Sequence, residues 1–217
     1  MRRALTAEFI GALLLTAAVV GSGIMGEQLA GGNAAVALLA NTGATVAALA
    51  TLIAVFGPIS GAHFNPVVTL TALWQGQLSI GQSTAYVALQ IAGCCAGAVL
   101  ANLMFELPAI QASMHARAGG AQWLSEAVAT AGLVFIAFSS PSVVAAAWRV
   151  PAWIGAAYWF TASTSFANPA ITIGRSLTDT FAGIRPADAA GFIIAQIVGA
   201  ILGAVLLRFF AERRVDA

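Results

Sequence analysis

Two Asn-Pro pairs, Asn65-Pro66 and Asn168-Pro169, stand out as residues able to do chemistry. Asn is among the preferred N-caps and Pro is favoured in the first helical turn, so each pair marks a helix start. A helix start carries a partial positive charge of about half a unit. An Asn whose oxygen caps the helix keeps amide N–H groups to offer a passing hydroxyl or water. One Asn-Pro marks many ordinary turns, but here two recur in matching contexts. These are Ser60-Gly61-Ala62-His63-Phe64-Asn65-Pro66-Val67 and Ser165-Phe166-Ala167-Asn168-Pro169-Ala170. Other chemistry is sparse. There is no nucleophile set beside a base, and Cys94 and Cys95 are adjacent rather than spaced as zinc ligands. No metal or cofactor is expected, and an enzyme is the least supported class.

The elements that hold these pairs follow from composition. Of 217 residues, 60% are hydrophobic and 8% charged, and the mean hydropathy is +0.90. Soluble domains carry about 25% charged residues, so the chain belongs in a lipid bilayer. With no Lys and a net charge of +1, a nucleic-acid partner is excluded. A spanning helix needs about 20 apolar residues, and six stretches qualify: roughly 5–25, 34–56, 83–104, 122–141, 150–166 and 188–210. Met1-Arg2-Arg3 ahead of an apolar run resembles a signal peptide, but Glu8 lies inside that run, so it is assigned to the first span. The segments 65–75 and 168–178 are too short to cross whole and read as re-entrant half-helices.

A helix start at membrane depth leaves backbone groups that survive only in protein or along a wet cavity. An aqueous path past both Asn-Pro pairs is therefore expected. Gln90-Ile91-x-Gly93 with Gly97-Ala98-Val99 recurs as Gln196-Ile197-x-Gly199 with Gly203-Ala204-Val205. The chain thus reads as one domain of two repeats, about 1–110 and 120–217, joined by a polar, water-exposed connector around Pro108 to Gln122. Three spans per repeat insert the second upside down relative to the first, so the two half-helix starts face each other near the midplane. The paired glycines lie on one helix face and allow close backbone approach; Gly11, Gly132 and Gly155 read the same way. An even span count puts both termini on one side. Arg2, Arg3, Arg149, Arg208, Arg213 and Arg214 gather there, against Arg117, Arg175 and Arg185 opposite, which predicts cytoplasmic termini in a cell or inner membrane.

The two Asn-Pro contexts resemble the paired signatures of the aquaporin and aquaglyceroporin family, the major intrinsic proteins. Ala7-Glu8-Phe9-Ile10-Gly11, Gly21-Ser22-Gly23, Glu126 and the Gln-Ile-x-Gly helices extend the resemblance over nearly the whole chain. It implies an all-α integral membrane fold, six tilted helices plus two half-helices in a right-handed bundle around a pore, usually assembled as a homotetramer. The implied function is passive passage of small neutral solutes. The chain departs from the family at Val67, where Ala is usual, and at Ile171, where water- and glycerol-conducting relatives usually carry Arg. Counting from the motifs puts the other outer-constriction positions at Thr45, Ala156 and Ser165, with Gly155 or Ala157 as neighbouring alternatives for Ala156. Every candidate in that fifth span is small, so a wide filter is expected. Two hydroxyls and an apolar wall suit a polyol-like molecule or a neutral metalloid hydroxide. The run Asn168 to Leu177 also resembles a bacterial branch of the family linked with arsenite, in which the filter Arg is likewise missing.

Arg175 has two readings. Four residues beyond Ile171, its guanidinium folds back toward the outer vestibule, or it pairs with Asp179 four residues further on; helical spacing favours the pair. Glu8 and Glu126 occupy matching intramembrane places. The resemblance implies that they brace the re-entrant loops by accepting backbone N–H groups, a reading preferred to a proton relay. By the same resemblance His63 lines the pore or its approach, and pH gating through its imidazole is a lesser alternative. Trp74, Trp123, Trp148, Trp153 and Trp159 fall mostly near span ends, as interfacial anchors do. A strictly water-selective channel and, more distantly, a secondary transporter remain as rival functions.

Overall fold

The computed structural model describes residues 1–212; Arg213 and Arg214, part of the charge-bias argument, lie outside the described residues. These residues form α1 (Arg2–Leu29), α2 (Ala34–Ser60), α3 (Pro66–Trp74), α4 (Ile80–Met104), α5 (Gly120–Ser139), α6 (Val143–Phe160), α7 (Pro169–Arg175) and α8 (Pro186–Glu212). Runs of Ala, Leu and other apolar residues favour helix throughout, and local polar residues set the ends. Asn33 caps α2, Ser142 caps α6, and Ser79 with Gln82 forms a capping box on α4. Gly61, at φ 89°, ends α2 in the left-handed region where a side chain would be strained.

The burial pattern is inverted relative to a soluble protein. Glu8, Gln90, Glu126 and Gln196 are fully buried, while Leu39, Leu103, Ile201 and Val205 are each more than half exposed. That arrangement suits apolar surroundings and a polar interior. α1, α2, α4, α5 and α8 are long and apolar enough to cross a membrane. α6 is shorter, at 18 residues, and lies against α2 and α5. Its length of about 27 Å approaches the ~30 Å hydrocarbon layer.

The fifth span was expected at 150–166 and is instead Val143–Phe160. Arg149 does not begin the helix but sits in its second turn, its guanidinium over the Trp148 ring at 5.3 Å. The Ser142 cap starts the helix earlier, and the extended Thr161 ends it.

Each half is sewn by one close helix pair, α1 with α4 and α5 with α8. A Cβ on Gly93 or Gly97 would strike the Phe9 or Leu13 carbonyl, and one on Gly199 or Gly203 the Ala127 or Ala131 carbonyl. Four glycines at equivalent places thus let backbones touch where lipid supplies no hydrophobic drive. Gly11 and Gly132 instead leave room for the rings of Phe64 and Trp153. Trp153 is therefore a packing residue rather than an interfacial anchor, and its indole N–H donates to the Ala129 carbonyl at 2.9 Å.

The connector is largely exposed, as expected, but it is also tied down. It runs through Gly119, and Ser113 is 1% exposed. Gln111 N–H donates to Leu177 O, Ser113 N–H to Ser176 O, and Arg185 N–H to His115 O. The connector is thus strapped to the segment between α7 and α8 over the end of the bundle opposite the termini.

Candidate functional site

The two half-helices begin as their sequences dictate. Asn65 Oδ1 accepts the Val67 N–H at 3.1 Å. Asn168 Oδ1 accepts from Ala170 at 2.9 Å and Ile171 at 3.2 Å. The tertiary fold then joins them: Asn65 Nδ2 donates to Ala167 O and Asn168 Nδ2 to Phe64 O, both at 2.8 Å. Each amide so commits one N–H to the opposite loop and keeps one for the lumen.

The loops leading into these starts are strained. Ala62, Phe64, Thr164, Ser165 and Ala167 have φ between 46° and 60°, a region that costs a non-glycine residue roughly 1–2 kcal/mol. Two buried carboxylates hold them in place. Glu8 accepts from Ser60 Oγ (2.6 Å), His63 N (3.0 Å), Phe64 N (2.7 Å) and Gln90 Nε2 (2.8 Å). Glu126 accepts from Ser163 Oγ (2.6 Å), Phe166 N (2.9 Å), Ala167 N (2.8 Å) and Gln196 Nε2 (2.6 Å). Gln90 and Gln196 then reach Thr69 and Thr172, each four residues past its Asn. The repeated Gln was visible in the sequence, but its bond to the half-helix Thr was not.

The loops line a cavity of about 400 Å³. Its lining combines the loop residues Gly61, Ala62, His63, Asn65, Ser165, Phe166, Ala167 and Asn168 with apolar helix residues, Val19, Leu49, Ile53, Val150 and Ile154 among them. His63 faces this space, with Nδ1 3.1 Å from Thr69 Oγ1. Of the six motif residues, only Asn65 and Asn168 line the cavity. Pro66, Val67, Pro169 and Ala170 are buried behind it, and Val67 packs with Val134, Ala200 and Ala204. The extra methyl groups of Val67 therefore act on helix packing rather than on the lumen wall.

At the end remote from the termini, Thr45, Ser165 and Ile171 line the cavity as expected, but Ala156 does not. Ala156 is exposed on the outer face of α6, and Gly155 and Ala157 are not lining residues either. The inward face of α6 carries Val150, Ile154 and Tyr158, spaced four apart as one helical stripe. Tyr158 is 3% exposed, and its hydroxyl lies 3.3 Å from Thr45 Oγ1. The α6 side chain beside Thr45 is thus a large aromatic with a hydroxyl tip rather than the small residue expected there.

Arg175 lines the same region and is 2% exposed. The pairing with Asp179 is not made; Asp179 Oδ1 accepts the Met114 N–H of the connector at 2.7 Å. Arg175 folds inward instead, its guanidinium carbon 3.3 Å from the centroid of the Phe166 ring and its Nε donating to Ala182 O. Arg117 of the connector approaches the same ring, at 5.2 Å. It is held by its Nε on Gly183 O and its backbone N–H on Asp188. Burial lowers the Arg117 pKa from its ordinary value.

This architecture has counterparts among known proteins. The profile described as Major intrinsic protein matches residues 1–158 and 140–217. The chain belongs to the major intrinsic protein family. It is 50% identical over 169 residues to "Aquaglyceroporin AqpS" of Rhizobium meliloti (strain 1021), covering 76% of this chain and 71% of that protein. "Aquaporin A" of Dictyostelium discoideum is 31% identical over 183 residues, covering 77% of this chain and 64% of that protein. The chain therefore spans a little under two thirds of that second relative. The solved aquaglyceroporin of Plasmodium falciparum shares the fold, with a TM-score of 0.72 over 96% of this chain and 95% of that one, at 17% identity. As a major intrinsic protein, this chain is a passive membrane channel and not an enzyme.

Proposed function

We propose that the lumen passes small neutral hydroxylated solutes: water, glycerol-like polyols and neutral metalloid hydroxides such as arsenous acid. The observation that carries this reading is the pair of cross-bonded Asn amides, each with a second N–H uncommitted and each lining a lumen that also has apolar side chains. A solute with hydroxyls along one edge and little charge matches such a passage, whereas an ion finds too few groups to replace its hydration. The half-helix N-termini at the same level oppose cations.

Thr45, Tyr158, Ser165 and Ile171 form the outer ring, with Arg175 as a filter cation displaced one turn outward from Ile171. His63 serves as the approach on the other side. Glu8 and Glu126 act as braces, since both carboxylates are filled by donors and neither lines the cavity. Each chain is one domain of two repeats, about 1–110 and 120–217, with both termini cytoplasmic in a cell membrane. Arg2, Arg3, Arg149 and Arg208 at the terminal end support that orientation. The apolar outer faces of α2 and α6, with Leu39 and Val144 well exposed, suit contact with further copies in a homotetramer.

A specific observation favours a second reading, the strictly water-selective channel: Tyr158 fills the place where a small residue was expected. Stopped-flow light scattering on proteoliposomes separates the two. The wild type is expected to pass both water and glycerol, and Tyr158→Ala to raise glycerol flux more than water flux. Water passage alone in the wild type, with glycerol appearing only in Tyr158→Ala, would establish the water channel instead.

A further inference from the structure

The Arg175 guanidinium is a buried cation with open hydrogen-bonding capacity. Among the described residues its one hydrogen bond runs from Nε to Ala182 O, leaving both terminal nitrogens uncommitted beside the cavity it lines. Among the described residues no carboxylate forms an ion pair with it. Glu126 is filled by four donors, Asp179 takes Met114 N–H, and Asp188 is shared by Arg117 N–H and Arg185. The compensation supplied by the fold is the Phe166 ring, the Ala182 carbonyl and the negative C-terminal end of α7. Arg117 on the same ring adds a second positive charge.

Ser165 is the second observation. It is 2% exposed and lines the same cavity, yet its Oγ has no hydrogen-bond partner among the described residues. A buried hydroxyl without a partner is costly and marks a place where a ligand atom belongs. Tyr158 adds another hydroxyl at the ring.

We propose that this mouth of the pore holds a binding site for a small monovalent oxyanion, seated on the terminal nitrogens of Arg175 and on the Ser165 hydroxyl. The planar edge of a guanidinium matches two oxygens of such an anion, and low-dielectric walls strengthen the attraction. Beyond the site one wall of the ring is the apolar side chain of Ile171, which replaces none of the anion's hydration. The anion therefore stops at the ring and occupies the solute path. External oxyanions act as blockers of neutral-solute flux.

The inference rests on the channel reading, and the experiment keeps the two apart. Glycerol and water flux are measured in proteoliposomes carrying sodium nitrate on both sides, against sodium gluconate at equal osmolarity and ionic strength. Nitrate is a strong-acid anion and does not cross as a neutral acid. Flux in gluconate tests the channel; its absence would defeat both ideas. Nitrate is expected to slow flux saturably, halving it on the order of ten millimolar, a weak-site concentration. Ser165→Ala is expected to raise that half-blocking concentration severalfold, Arg175→Lys to raise it further, and Arg175→Gln to remove the block. Equal flux in nitrate and gluconate for the wild type overturns the site, whatever the folding of the variants. So does an unchanged block in Arg175→Gln that still conducts, or in Ser165→Ala where Arg175→Gln does not fold.

Discussion

Replacing Glu126 by Gln tests the brace most directly, because the two side chains are nearly the same size. In the native site Oε1 serves Ser163 Oγ and Phe166 N–H, while Oε2 serves Ala167 N–H and Gln196 Nε2. A Gln amide keeps one oxygen and turns an NH₂ group toward the other two donors. Gln196 can flip to present its otherwise unpartnered Oε1, but then gives up its 2.9 Å bond to Thr172. Hydrogen bonds to a charged partner contribute about 1.5–3 kcal/mol each. With two affected, the variant is expected to lose about 3–6 kcal/mol, nearer the lower figure if Gln196 flips. At about 2–4 °C per kcal/mol for a chain of this size, the melting midpoint in detergent falls by roughly 6–24 °C. Liposome flux is expected to fall with it, since Ser165 to Asn168 form the lumen wall. A Glu126→Gln protein with native melting and native flux would refute the brace. It would show that a neutral group serves equally well, as a protonated relay residue does.

Three further outcomes follow from the same geometry. Asn168→Asp replaces the amide that donates to Phe64 O with a carboxylate oxygen facing that carbonyl; osmotic swelling is expected to show severalfold lower flux, and unchanged flux would discount the cross-bond. Ile171→Arg adds a guanidinium one turn inside Arg175, so glycerol uptake is expected to fall more than water uptake in the same vesicles; a proportional fall in both would argue against a filter position. Gly97→Leu forces α1 from α4 at Leu13 O and Thr16, a strain of at least about 1–3 kcal/mol. Its monodisperse yield on gel filtration is expected to drop, while Gly81→Leu, with nothing within 4 Å of its Cβ position, behaves as wild type.

Much of the fold was legible because its signals are local. Apolar run length marks a span, an Asn-Pro pair marks a helix start, and both half-helices lie within a few residues of their expected ranges. The fifth span was misplaced by seven residues at its start. Arg149 and Trp148 look like an interfacial boundary in a hydropathy window, yet a long side chain lying on a Trp ring is tolerated within a helix. Counting back from Asn168 to Ala156 crosses eight irregular residues, Thr161–Asn168, where the chain has no fixed rise or rotation. Each residue of error turns the helix about 100°, which is why Ala156 faces outward and Tyr158 inward.

The sequence by itself determined that this chain lives in lipid, that two capped half-helices start within it, and that the same pattern is written twice. These are properties of residue type and short spacing, and they persist whatever the rest of the chain does. Tertiary structure alone decided that Val67 packs behind the lumen, that Tyr158 meets Thr45, and that Arg175 folds inward onto Phe166 while Asp179 meets a distant backbone N–H. Such outcomes depend on which partner arrives from far along the chain, and helical spacing carries no information about a partner some 65 residues away.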